Sequence, residues 1–384
     1  MPGVKHYLIA AVTMVGVGLV AAVLFVWSGI YNVSAARSHF QSVEWLLDVV
    51  RRQSVGFHSR GIETPDDLDD RDLVVLGARH FEYGCAPCHG APGRKPSALS
   101  SAMLPQPPAL DHLADEWAPN EIFWIVQNGQ KYTGMPHWIA PEREEEVWSV
   151  VALLGALETM EPADYEVLAA LDDDGAATPF LAQPAQRRAL LGTCAKCHGA
   201  PGEAPPSNLA PQLSGQTADY LSRALREYRD DLRPSGIMQL FANELDDAQI
   251  ADLAAAYAGT APASIEAEEP EGNIASGAGI FELGLPEDDV PACTSCHGAS
   301  ARFPALSPLS AEYAAMQLKV FRAGERDGTS YGRIMTAVAE RLSDDDIEDL
   351  AAYVGSLSAP RSAGTAATET APQPDAAAGD EVAP

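Results

Sequence analysis

The apolar positions fall into two regimes. Leu8 to Trp27 is an unbroken run with no charged residue, preceded by Lys5 and His6. Twenty residues at 1.5 Å rise span about 30 Å, the thickness of a bilayer's hydrocarbon core. Trp27 and Tyr31 stand where interfacial aromatics belong. A cleavable signal usually has a shorter apolar region, so an uncleaved anchor is expected; cleavage after Val33-Ser34-Ala35 stays open. Beyond it the pattern becomes amphipathic. Ala36–His58 predicts a helix with Phe40, Val43, Trp45, Leu46 and Val50 among its apolar members, either a stalk on the membrane surface or a docking helix.

The remainder repeats. Three closing helices are predicted over Glu142–Leu157, Asp246–Ala258 and Ser343–Leu357, with apolar residues at helical spacing, as in Ile347, Leu350, Ala351 and Val354. Acidic residues crowd their first turns (Glu144-Glu145-Glu146, Asp246-Asp247, Asp344-Asp345-Asp346), where the helix dipole favours them and solvated side chains suffice. The expected order is an anchor (1–35), an amphipathic stalk (36–69), three similar domains (70–161, 184–260, 276–358), linkers (162–183, 261–275) and a disordered Ala/Pro/acid tail (359–384). The fold class is all-α.

Composition narrows the function. The 384 residues carry 25 Lys and Arg against 54 Asp and Glu, a net charge of −29, and each folded third is acidic by itself. A general nucleic-acid binder needs a basic face, so nucleic acid is excluded as a partner and a basic docking surface is favoured.

The six cysteines form three pairs, each spaced Cys-x-x-Cys and followed by histidine: Cys85/Cys88/His89, Cys194/Cys197/His198 and Cys293/Cys296/His297. Cys-x-x-Cys-His is the attachment signature of c-type haem. Two thiols one turn apart can add to the porphyrin vinyl groups, and the adjacent imidazole reaches the iron from one face. A thioredoxin-like pair needs a βαβ context, absent here. A structural zinc site needs four ligands at closed spacing, whereas these pairs stand about a hundred residues apart. Three covalently attached haems are therefore expected.

A methionine recurs before each closing helix: Met135, Met238 and Met335. Thioether opposite histidine raises the potential and closes the iron to substrates, so these three are the candidate sixth ligands. Met103, Met160 and Met316 lack that register, and His137 is an alternative to Met135. His80 and the other histidines are read as surface or structural.

On these motifs residues 70–358 resemble class I cytochromes c three times over. The resemblance implies a small helical domain around each haem, its first and last helices crossing. Gly77 and Phe81 look like the family's Gly-x-x-x-aromatic contact, and Trp148, Tyr257 and Tyr353 like its partner on the last helix. It also implies that the carbonyls of Pro108, Pro211 and Pro304 accept from the proximal histidines. Units two and three together resemble diheme cytochromes of the c4 type; unit one looks like a separate module arriving with the anchor. Unit two departs from the pattern, with a short first helix lacking a clear Gly-x-x-x-aromatic pair.

The function implied is a membrane-tethered, periplasm-facing triheme electron carrier and not an enzyme. The implied site is the bacterial inner membrane, with one N-terminal span. Implied partners are a cytochrome bc complex or a dehydrogenase as donor and a terminal oxidase as acceptor. The rivals are a haem-carrying subunit of a membrane-bound dehydrogenase and an open-haem enzyme or sensor, which would need an iron without methionine.

Overall fold

The computed structural model describes residues 3–171, 185–265, 272–298, 300 and 302–358. Among them there are helices and two isolated bridges, Ala91 with Arg94 and Leu285 with Val290, but no strand. The helix Val4–Trp27 has a mean hydropathy of 2.7 over its most apolar window and buries nothing, so it is long and apolar enough to cross a membrane. A second helix, Gln41–His58, begins later than the amphipathic pattern suggested. Its C-terminal end is docked: Val55 is buried, and His58 stacks on Trp124 at 5.6 Å. Arg51 and Arg52 lie over the Trp117 ring.

Unit one has an opening helix Arg71–Gly84, a middle helix Pro119–Asn128 and a closing helix Glu144–Ala156. Asp70 caps the opening helix by accepting from the Asp72 amide. The opening and closing helices cross at Gly77, where an added Cβ would stand 1.9 Å from the Ser149 carbonyl oxygen. Around that crossing Phe81, Phe123, Val147 and Leu153 are buried, with Phe123 stacked on Trp148 at 4.3 Å.

The stretch expected as a linker from residue 162 instead begins with a helix, Pro162–Leu168. Its Tyr165 is fully buried, meets Phe81 edge-on at 6.2 Å and donates to Glu82 at 2.9 Å. Glu82 also binds Arg94. This segment belongs to unit one, because a buried carboxylate requires such donors. The Asp172-Asp173-Asp174-Gly175 stretch and the tail 359–384 lie outside the described residues.

Unit two comprises Ala185–His198, Ala218–Arg229, the short Met238–Ala242 and Asp247–Ala258. Asp246 and Gln249 form a reciprocal capping box at the start of the closing helix. The second expected linker is partly pinned. Gln212 exchanges two hydrogen bonds with the Ala263 backbone, and Asn273 caps Ile274–Leu283, which opens unit three two residues before the expected boundary. Unit three continues through Thr294–His297, Ala311–Arg322, Ser330–Ala339 and Asp344–Ser358. Here Gly277 makes the same close crossing, where an added Cβ would stand 1.9 Å from the Asp349 oxygen, and Phe281 meets Tyr353 at 5.1 Å.

The units touch. Ser207 and the Asn208 amide bind Asp72 of unit one, while Ser310 of unit three donates to the Asn208 carbonyl. Gln216 of unit two exchanges two bonds with the Ala305 backbone. Unit one is thus packed against unit two.

Candidate haem-binding sites

Each Cys-x-x-Cys-His stretch is a tight helical turn, Ala86–His89 and Thr294–His297 in units one and three and the last turn of Ala185–His198 in unit two. That winding brings both thiols and the imidazole to one side of the backbone. None of the six cysteines is in a disulfide. Burial pushes the Cys85 and Cys194 thiols up to about 12 and Cys293 up to about 11, so all three are neutral at pH 7.

The three histidines share one geometry. Nδ1 of His89, His198 and His297 lies 2.9 Å from the carbonyl oxygens of Pro108, Pro211 and Pro304. A carbonyl can only accept, so each Nδ1 carries the proton and each Nε2 keeps a free lone pair. Burial also holds His198 and His297 below the ordinary imidazole range, against the opposing pull of those carbonyls. Neutral imidazole with an exposed lone pair is a ready metal ligand.

Units two and three, with Leu76, His80, Arg143, Glu145 and Glu146 of unit one, wall one continuous cavity, bringing together Cys194, Cys197, His198 and Met238 with Cys293, Cys296, His297 and Met335. Its surface is otherwise largely apolar, with Leu221, Leu253, Leu309 and Val354 among the lining residues. Met316, set aside on register, also reaches this wall. In unit one Met135 is half-buried; its amide donates to Thr133 Oγ1 at 3.0 Å and its carbonyl accepts from the Gln130 amide at 3.2 Å. The Met103 sulfur stands 3.1 Å from the position of a Cβ on Gly134, so Met103 neighbours the Met135 loop. His137 is exposed and bonds the Trp138 carbonyl.

The family model described as cytochrome c matches residues 184–256 and 274–358, and that described as cytochrome C oxidase, cbb3-type, subunit III matches 73–154. Cytochrome c4 of Pseudomonas aeruginosa is 34% identical over 176 residues, covering 44% of this chain and 86% of that protein. Cytochrome c4 of Thiocapsa roseopersicina is 35% identical over 196 residues, covering 49% and 99%. A protein named thiosulfate dehydrogenase electron acceptor, from Thiomonas intermedia, is 34% identical over 210 residues, covering 53% and 88%. The chain belongs to the cytochrome c family.

Members of the cytochrome c family hold haem c covalently, and the residues present fit that group. The shared cavity is lined by the guanidinium groups of Arg233, which is buried, and Arg326, which is half-buried; a third, Arg143 of unit one, is paired with Glu145. Arg233 leaves its Nε buried with no partner, although its guanidinium lies over the Tyr228 ring at 4.5 Å. Burial and then Arg233 pull Arg326 down to about 10. Two guanidinium groups facing one largely apolar cavity suit an anionic group. Haem propionates have that charge, and the orphaned donor has the right polarity. In unit one the buried, unpartnered Nε2 of Gln130 beside the Met135 loop is the comparable polar group.

Several residues escaped the sequence reading. Glu146, counted there among solvated first-turn acids, is buried, while neighbouring Glu144 is exposed. His80 is buried beside Ser149, with Nδ1 3.2 Å from Oγ, and burial pushes it down to about 4. Arg233 and Arg326 share a register that the sequence carries: each stands five residues after an aromatic, Tyr228 and Phe321.

Proposed function

We propose that this cytochrome c is a membrane-tethered, periplasm-facing electron carrier with three haems c. One would attach at Cys85 and Cys88, one at Cys194 and Cys197, and one at Cys293 and Cys296. His89, His198 and His297 would ligate the irons, together with Met135, Met238 and Met335. The threefold recurrence of a histidine Nδ1 fixed 2.9 Å from a proline carbonyl carries this reading. When bound, haem iron supplies one-electron exchange between ferric and ferrous states. The chain's part is to orient each imidazole through its proline, to exclude water with apolar walls, and to offset propionate charge with Arg233 and Arg326. The mature protein should be heavier than its polypeptide by three haem groups. Replacing Met135, Met238 and Met335 one at a time should each lower one of three resolved potentials; a replacement that moves none overturns that assignment.

The apolar helix Val4–Trp27 supports a single span, with the helical units on the periplasmic side. The acidic surface suits a basic docking face, and donor and acceptor remain those inferred from the sequence: a cytochrome bc complex or dehydrogenase, and a terminal oxidase. The match of residues 73–154 to an oxidase-subunit family supports the oxidase as acceptor. The relatives named thiosulfate dehydrogenase electron acceptor favour the second reading, a haem subunit of a dehydrogenase complex. Solubilising native membranes and identifying what co-purifies separates the two.

A further inference from the structure

The carboxylate of Glu146 belongs to unit one's closing helix, yet it is shared with unit two. Oε1 accepts from the Ser235 hydroxyl at 2.5 Å, and Oε2 accepts from the Gly236 amide at 2.6 Å and from the Trp138 indole at 3.1 Å. Arg143 stands 3.7 Å from the same carboxylate and donates to the Pro234 carbonyl at 2.7 Å. Glu146 and Arg143 are both buried. The loop they hold, Pro234–Ile237, leads directly into Met238, whose amide donates to Ser235 Oγ at 3.1 Å.

The same contact reaches unit one's methionine loop. Trp138 lies three residues beyond Met135, and its indole occupies the space over Gly236: a Cβ there would stand 2.2 Å from Nε1. Only a bare backbone allows this approach. Tyr83 and Phe241, edge-on at 4.9 Å, close the interface nearby.

An interface needing only adhesion could be apolar, since a buried ion pair seldom outperforms well-packed hydrocarbon. A buried carboxylate with three directed donors instead fixes geometry. We propose that Glu146 is a positioning residue for unit two's sixth ligand. By clasping Ser235 and Gly236 it sets where Met238 stands, and so makes the potential of unit two's haem depend on the docking of unit one. This rests on the reading of Met238 as a ligand.

The test uses the full-length holoprotein. Met238→Ala identifies unit two's haem as the one that loses its methionine-to-iron charge-transfer band. In Ser235→Ala, which alters no charge, that same haem should fall in potential by the equivalent of a tenfold change in its ferric-to-ferrous ratio, about 59 mV for one electron. In Glu146→Ala its methionine band should weaken while unit three's remains, and Glu146→Gln, which keeps the shape and an acceptor, should restore much of it. Ser235→Ala keeps the proposal testable if Glu146→Ala does not fold. If both variants that fold leave that haem's band and potential unchanged, or if the altered haem is unit three's, the proposal is wrong. Hydrogen exchange across residues 234–241 reads the clasp whatever ligates the iron, and must accelerate in Glu146→Ala. Should Met238→Ala leave all three bands intact, the ligand reading has failed, whereas unchanged exchange refutes the clasp.

Discussion

Two glycines two residues apart on one helix should respond oppositely to the same substitution. Gly277 and Gly279 both lie in Ile274–Leu283. A Cβ on Gly277 would meet the Asp349 oxygen at 1.9 Å and the Asp349 carbon at 2.5 Å, whereas one on Gly279 meets nothing within 4 Å. Real Cβ atoms essentially never approach closer than 3.0 Å, so Gly277→Ala must separate the helices by more than 1 Å. The atom in the way is backbone, so no side-chain rotation relieves it. Alanine gains about 1 kcal/mol of helix propensity at either position. At Gly277 overpacking costs about 1–3 kcal/mol and the separation also loosens Phe281 from Tyr353, so after the propensity gain a net loss of about 1–2 kcal/mol is expected. Gly279→Ala should stabilise by about 0.5–1 kcal/mol. The assay is guanidinium unfolding of the full holoprotein, following helix content and haem absorption together and comparing the transition of unit three. If both variants stabilise, or if Gly279→Ala is the more damaging, the close crossing does not exist.

Tyr165→Phe removes one of the donors to buried Glu82 and should destabilise unit one by about 1.5–3 kcal/mol, read from the denaturation midpoint. A linker residue would show no such loss. His80, pushed down to about 4 by burial, has a folded value below its unfolded 6.5. The unfolded chain therefore takes up a proton that the folded chain refuses, and stability should fall as pH drops from 6.5 towards 4, by about 3 kcal/mol over the window. His80→Asn should flatten that part of the curve relative to the parent; an unchanged slope refutes the assignment.

The closing helices were legible because their apolar spacing and acidic first turns are local signals. Their observed starts, Glu144, Asp247 and Asp344, lie within two residues of expectation. The crossing glycine of unit three was less so. In unit one Gly77 precedes its motif by two helical turns, whereas in unit three Gly284–Ala292, closed by the Leu285–Val290 bridge, separates Gly277 and Phe281 from Cys293. The inserted loop hid a pattern that the structure restores. Glu146 was opaque for another reason. Three consecutive glutamates at a helix start read as one solvated cluster, and only the approach of Pro234–Met238 buries the third. Nothing local distinguishes it from Glu144.

That approach bears on why unit two occupies the middle. Its opening helix has no glycine crossing: Gly192, its one glycine among Ala185–His198, meets nothing within 4 Å. Among the described residues its buried apolar core is small: two groups, around Leu221, Ala254 and Tyr257 and around Leu245, Ile250 and Leu253, joined through half-buried Leu191 and Cys194. Units one and three each have one larger cluster that joins both crossing helices. Small cores are marginal because the area buried per ordered residue is low. Unit two offsets this by leaning on its neighbours, through Glu146 and Asp72 on one side and Ala305 and Ser310 on the other. Residues 184–265 expressed alone with haem should therefore unfold at lower denaturant than residues 272–358 treated alike, and adding unit one in the same chain should raise the midpoint. Equal midpoints for the two isolated units would mean that the helix crossing contributes little, and that haem attachment alone holds each unit together.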